Sequence, residues 1–277
     1  MEIGKSKRGE NAGEGKAREE VDSRGEPMCS PALEAVGSRM EKILLEIYDS
    51  LYKAFGPLHW WPGETPFEVS IGAILTQNTA WTNVEKAINR LKEHNLLSPE
   101  CIRDIDINLL GEMIRSSGYY NQKAKKLKAF VDFLFLQYEG SMELMKETEM
   151  WTLRHELLQV NGIGMETADS IILYACYKPI FVVDAYTRRF LSRHKLIEED
   201  AGYTHIQKLF MNNLPSDVAI YNEYHALIVQ LGKELCSKTL PRCNICPLFV
   251  VITPFMGFFL AETIGVEETE TEPVEVE

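Results

Sequence analysis

From Arg39 onward, apolar residues return every three or four positions. Met40, Ile43, Leu44, Ile47, Leu51 and Phe55 form one stripe of an amphipathic helix, and Gly56-Pro57 ends it. The same period predicts helices at roughly 67–79, 81–93, 106–116, 121–137, 150–158, 165–177, 184–193, 203–213 and 217–235. Breaks fall at Ser98-Pro99, Ser116-Ser117-Gly118, Asn161-Gly162 and Pro215-Ser216. The only strand-like stretch, Pro179 to Val183, is short and isolated, and no fixed-period repeat is present. Many short helices without a sheet pattern imply an all-α bundle. Residues 1–38, rich in Gly, Glu, Lys, Arg and Ser, show no period and read as a disordered tail.

Length and composition narrow the class. A chain of 277 residues that is 45% hydrophobic can bury the core of one large domain or two intimate lobes. Six cysteines are too few for a disulfide-dense secreted scaffold. The polar N-terminus lacks the apolar core of a signal peptide, and the apolar run Pro247–Ala261 contains Pro254 and Gly257. That run is shorter than the ~20 residues a bilayer requires. The expectation is a soluble, cytoplasmic protein that contacts no membrane.

The net charge of −12 looks unfavourable for nucleic acid, but it is concentrated at the ends. Seven glutamates and no base follow Ala261, and residues 1–38 carry two more acids than bases, so the body between is close to neutral. A near-neutral body can hold a local basic face.

Two segments carry candidate chemistry. In Leu157-Leu158-Gln159-Val160-Asn161-Gly162-Ile163-Gly164-Met165-Glu166-Thr167-Ala168, a Gly-x-Gly turn joins two helical patterns. Such a turn lets another backbone approach closely, and the N–H groups opening the second helix suit a phosphate oxygen. Taken alone the motif is weak, and a plain helix–helix turn is the simpler account. Further on, Phe181-Val182-Val183-Asp184-Ala185-Tyr186 places an acid at the start of a helix, where an N-cap role is sufficient reason for it.

Together, Gly-Ile-Gly-x-x-Thr-Ala and Val-Val-Asp-Ala-Tyr resemble the helix-hairpin-helix DNA glycosylase superfamily, in its endonuclease III branch. The likeness extends from Glu41 to Cys246. Ile74-Leu75-Thr76-Gln77-Asn78-Thr79 looks like the family's helix whose glutamine, here Gln77, fills the gap left by an extruded base. Ser117-Gly118-Tyr119-Tyr120-Asn121-Gln122-Lys123-Ala124 looks like its glycine, aromatic and Lys-Ala segment. The resemblance implies two helical lobes with DNA at the cleft: six helices at about 67–155, and 39–66 with 156–252 as the other. Gly162, Ile163, Gly164, Glu166 and Thr167 would form the DNA-binding hairpin. Lys123, Lys125 and Lys126 are candidate phosphate contacts, with a solvated helix face as the alternative.

Departures from the pattern bear on chemistry. Bifunctional endonuclease III carries a nucleophilic lysine where this chain has Glu166. A carboxylate cannot form a Schiff base, so the lyase route loses its nucleophile. Asp184 remains as the catalytic candidate, able to stabilise an oxocarbenium-like sugar or assist water. The implied activity is monofunctional base excision. Trp60, Trp61 and Trp81 make the chain look most like bacterial 3-methyladenine DNA glycosylases of the endonuclease III type, in which aromatic rings sandwich the flipped base. A cationic alkylated purine is attracted to such faces. Lys233 falls at a pocket-side lysine of that subgroup. Core packing of the tryptophans and a surface Lys233 are the competing readings.

Cys236-x6-Cys243-x2-Cys246 matches three of the four cysteines that bind a 4Fe–4S cluster in endonuclease III relatives; the fourth position is Ile252. An iron–sulfur cluster is therefore implied only in part, and the spacing is poorer for zinc. Residues 253–277 form an atypical apolar-then-acidic tail. The expected partner is double-stranded DNA bearing a flipped damaged base, met by a monomer without an obligate protein partner. The alternatives are an endonuclease III-like glycosylase/lyase on oxidised pyrimidines, its amine coming from elsewhere, and a catalytically silent DNA-binding protein.

Overall fold

The computed structural model describes residues 31–58, 60, 61 and 63–249, with side chains from residue 39 onward. Among them every regular element is helical: α1 (Pro31–Phe55), α2 (Pro66–Leu75), α3 (Trp81–Glu93), α4 (Pro99–Asp104), α5 (Ile107–Met113), α6 (Tyr120–Tyr138), α7 (Met142–Glu147), α8 (Met150–Gln159), α9 (Met165–Ser170), α10 (Ala185–Arg193), α11 (Tyr203–Met211) and α12 (Val218–Glu234). A π-helical turn, Ile171–Ala175, continues α9. Pro179–Val183 is irregular and forms no strand. The chain divides into two units at Met40, and the candidate site residues all belong to the second. No helix among the described residues is long and apolar enough to cross a membrane.

Helix α2 anchors the core. Thr65 caps it by accepting from the Glu68 N–H, Pro66 occupies its first turn, and every residue from Phe67 to Leu75 is buried. It packs against α3, α6, α9 and the π-turn. Its C-terminus thus delivers Gln77 to the hairpin before α9. Truncating a fully buried contact such as Ile74 would cost about 2–5 kcal/mol.

The pattern places the tail at 1–38, yet α1 already begins at Pro31; residues 1–30 lie outside the described residues, as does the expected tail at 253–277. The break expected at Ser98-Pro99 lies between α3 and α4, where Ser98 is the N-cap, accepting from the Cys101 N–H, and Pro99 opens the helix. α4 and α7 are single six-residue helices, too short to show a period.

Candidate active site

Asp184 ends the irregular segment and caps α10. Its Oδ1 accepts from the Thr187 backbone N–H at 2.7 Å and the Thr187 hydroxyl at 2.9 Å. The cap uses one oxygen only. Oδ2 instead faces His225 Nε2, on α12, at 3.6 Å. Burial pushes the Asp184 carboxyl up, but His225 and the Thr187 donors outweigh it and hold the group below its ordinary value.

The segment that carries Asp184 is held from beneath. Arg154 on α8 grips the wholly buried Asp169 through two hydrogen bonds, at 2.6 and 3.1 Å. Asp169 Oδ2 also accepts from the Tyr203 hydroxyl and the Gln207 amide, both at 2.7 Å. Gln207 donates on to Phe181 O at 2.8 Å, and Tyr203 OH accepts from the Val183 N–H at 3.3 Å. The backbone leading to Asp184 is thereby tied to α8, α9 and α11 through one carboxylate.

The hairpin lies alongside. Gly162 has φ of +89°, and a Cβ there would lie 2.4 Å from Lys126 Cγ, so glycine alone lets that lysine stem lie across the turn. Gly164 precedes α9 without supplying a side-chain cap, which leaves the first-turn N–H groups open to an outside acceptor. Ile163 and Thr167 are buried, and Glu166 is solvent-accessible. Although the residue is exposed, the protein packed around its carboxyl and the nearby Asp184 charge raise the Glu166 pKa, with His225 opposing. Gln77 donates to Gly162 O at 3.1 Å and Thr167 Oγ1 at 3.0 Å, while Lys126 donates to Gln77 Oε1.

The lysines separate. Lys125 is exposed and Lys126 half-buried, so both can reach outside groups. Lys123 cannot, which corrects the phosphate contact expected for it. It is buried on α6 and donates to Leu75 O, Thr79 Oγ1 and Ser117 O at 2.6–2.7 Å. Three acceptors match its three donors, joining the end of α2 to the Arg115–Ser117 turn. Burial, with Lys126 nearby, lowers its pKa to about 8.

The tryptophans form a continuous aromatic run. Trp61 meets Trp60 edge-on at 5.9 Å between centroids and Trp81 at 5.4 Å, and lies 5.0 Å from Tyr174 of the π-turn. Gly72 of α2 leaves room for the Trp61 indole, whose Nε1 would be 3.3 Å from a Cβ there. All three tryptophans are half-buried. Lys233 places its amine 5.0 Å over the Trp60 ring. Burial lowers its pKa, and the Asp184 charge opposes this.

Cys236, Cys243 and Cys246 line one cavity of about 350 Å³ with His194, Arg193 and Arg242. Among the described residues no three His, Cys, Asp or Glu side chains gather to hold a metal ion. Cys236 Sγ instead takes the Arg193 guanidinium at 3.2 Å, and Cys243 is exposed. Burial raises the Cys246 thiol pKa. Ile252 lies outside the described residues.

Sequence reasoning missed His225, Tyr174 and the Asp169 network. Tyr174 OH and His225 Nδ1 are 2.5 Å apart, although 51 residues separate them along the chain. The available signal was a histidine at the phase of Tyr221, Ile228 and Gly232, the buried face of α12.

Comparisons agree with this architecture. The family described as HhH-GPD superfamily base excision DNA repair protein matches residues 71–216. The Methanocaldococcus jannaschii protein named "Putative DNA repair glycosylase MJ1434" is 49% identical over 209 residues, covering 75% of this chain and 94% of that protein. Endonuclease III of Sulfolobus acidocaldarius is 28% identical, covering 70% of this chain and 82% of that one. Among solved structures, H. pylori 3-methyladenine DNA glycosylase bound to 1,N6-ethenoadenine is 31% identical with a TM-score of 0.60, covering 72% of this chain and 97% of its own. A trapped endonuclease III–DNA covalent intermediate, 24% identical, shares the fold with a TM-score of 0.67 over 76% and 94%.

Proposed function

Because this chain belongs to the HhH-GPD superfamily of base excision DNA repair proteins, with an endonuclease III-like fold, we propose that it is a monofunctional DNA glycosylase that hydrolyses the glycosidic bond of N-alkylated purines. One observation carries the reading: Asp184 keeps Oδ2 outside its helix cap, facing His225, whose partner Tyr174 packs on Trp61, with a carboxylate rather than an amine on the adjoining hairpin.

The chemistry follows from those groups. Duplex DNA binds with Gly162, Gly164 and the first turn of α9 on a phosphate, and Lys125 and Lys126 add charge to the same interaction. Gln77 leaves its hairpin contacts and fills the gap as the damaged nucleotide turns outward. Trp60, Trp61 and Trp81 receive the base, whose positive ring is attracted to aromatic faces. An alkylated purine is already a good leaving group, so the bond loosens without a strong acid. The Asp184 anion stabilises the positive charge that develops on the sugar and orients the water that captures C1′. An abasic site and a free base result. The likeness to a glycosylase named for 3-methyladenine supports this lesion class.

The lyase alternative rests on Lys233, an amine of lowered pKa near both Asp184 and Trp60. A panel of single-lesion duplexes, assayed with and without alkali, distinguishes the two. Release of alkylated purine with strand breaks only after alkali supports the proposal. Breaks without alkali, or release confined to oxidised pyrimidines, would reject it.

A further inference from the structure

His225 is buried at 5% exposure, on the face of α12 that packs against the π-turn. A histidine satisfied within a core has a partner on each nitrogen. Here Nδ1 has one, the Tyr174 hydroxyl at 2.5 Å, while Nε2 has no hydrogen-bond partner and faces Asp184 Oδ2 at 3.6 Å. Tyr174 is itself fixed, since its ring packs on Trp61 at 5.0 Å between centroids. A contact slightly longer than a hydrogen bond, between buried complementary groups, can tighten once the site closes on substrate.

We infer that His225 is a positioning residue for Asp184, orienting its free oxygen toward the sugar while Tyr174 holds the imidazole so that Nε2 points at the carboxylate. This rests on the assignment of Asp184 above. When Tyr174 donates to Nδ1, the ring hydrogen sits on Nε2, aimed at Asp184. When the imidazole takes a second proton, the roles at Nδ1 reverse and Nε2 still donates. In either state the carboxylate keeps a directed N–H, and no net proton transfer is needed. The other titratable groups facing this pair are Glu166 from α9 and Lys233 from α12. Glu166 interacts with both Asp184 and His225, and Lys233 with Asp184. The link also connects the base pocket with the catalytic carboxylate, through Trp61, Tyr174 and His225 in turn.

The test is single-turnover release of methylpurines from methylated duplex DNA, from about pH 3 to about pH 8, a range that takes in the titration of both a carboxylate and histidine. Wild type is compared with His225→Ala, His225→Gln, Tyr174→Phe and Asp184→Asn, each melted at the same pH values. His225→Ala should lose about 10–100-fold in rate, as supporting residues around reactive groups do. Its acid limb should move to higher pH, because the carboxylate loses a donor that favours its anion. His225→Gln, which keeps an N–H near the Nε2 position, should recover part of both effects, and Tyr174→Phe should shift the limb in the same direction by less. An inactive Asp184→Asn beside a His225→Ala of wild-type rate and limb would overturn the inference and leave the Asp184 assignment standing. An active Asp184→Asn would overturn that assignment itself. Should His225→Ala fail to fold, unshifted limbs in folded His225→Gln and Tyr174→Phe would also overturn the inference.

Discussion

Gln77 donates its amide to Thr167 Oγ1 at 3.0 Å, so the end of α2 and the hairpin helix are joined through a side chain expected to enter DNA. Filling an extruded base's place requires breaking this bond and those to Gly162 O and Lys126. Gln77→Ala should therefore lower stability by about 2–3 kcal/mol, since three half-exposed hydrogen bonds of about 1 kcal/mol each are lost. Affinity for abasic-site duplex, read by fluorescence anisotropy, should drop at least about tenfold, the equivalent of about 1.4 kcal/mol. An unchanged affinity would show that Gln77 stays on the hairpin when DNA binds.

Asp169 is the acceptor beneath the segment that carries Asp184. Asp169→Leu leaves Arg154 charged and largely buried, and should cost about 3–5 kcal/mol in urea unfolding. Replacing Arg154 and Asp169 together by leucine should cost clearly less, because no orphan charge remains. Equal losses in the single and double variants would mean that the hydrogen bonds to Tyr203 and Gln207 matter more than the ion pair.

Lys123 gives a pH signature with a defined sign. Its folded pKa of about 8 lies below that of an unfolded lysine, near 10.4. Between those values the unfolded chain binds more protons, so this group makes stability rise with pH. Compared with Lys123→Met in urea melts, wild type should gain stability from about pH 8 toward about pH 10. A flat difference would mean that the three acceptors keep the lysine protonated.

Glu166 decides the covalent question. Borohydride should trap little or no adduct between wild-type protein and damaged duplex, because the hairpin offers no amine. Glu166→Lys should restore some trapping, limited by how well the new amine reaches C1′. Efficient trapping by wild type that Lys233→Ala abolishes would assign lyase chemistry to Lys233.

What the chain revealed beforehand follows physical range. Helices such as α1 and α3 were legible because a long amphipathic stripe repeats, and the hairpin and Asp184 because each motif is contiguous. Lys123 was misplaced although its own helix held the answer. It shares a stripe with Leu127, Phe130, Val131 and Leu134, all buried, so helical phase rather than residue type decides where it lies. His225 and Tyr174 are joined only by tertiary packing, which no local pattern encodes. The Asp169 network lay hidden for the same reason, its members drawn from α8, α9 and α11.

The π-turn between α9 and Asp184 has a consequence for tolerance to mutation. Its wider loop closes from the Cys176 N–H to Ile171 O, one residue further than in an α-helix. Helical phase therefore slips between the hairpin, which precedes the turn, and Tyr174 within it. Because that turn holds one residue more than an α-turn, deleting a residue from 171–173 would let ordinary winding resume with Tyr174 near its present bearing on Thr167, whereas inserting one would rotate it by about 100°. A one-codon insertion inside a smooth apolar helix would thus uncouple the tyrosine from His225 while leaving the hairpin sequence intact.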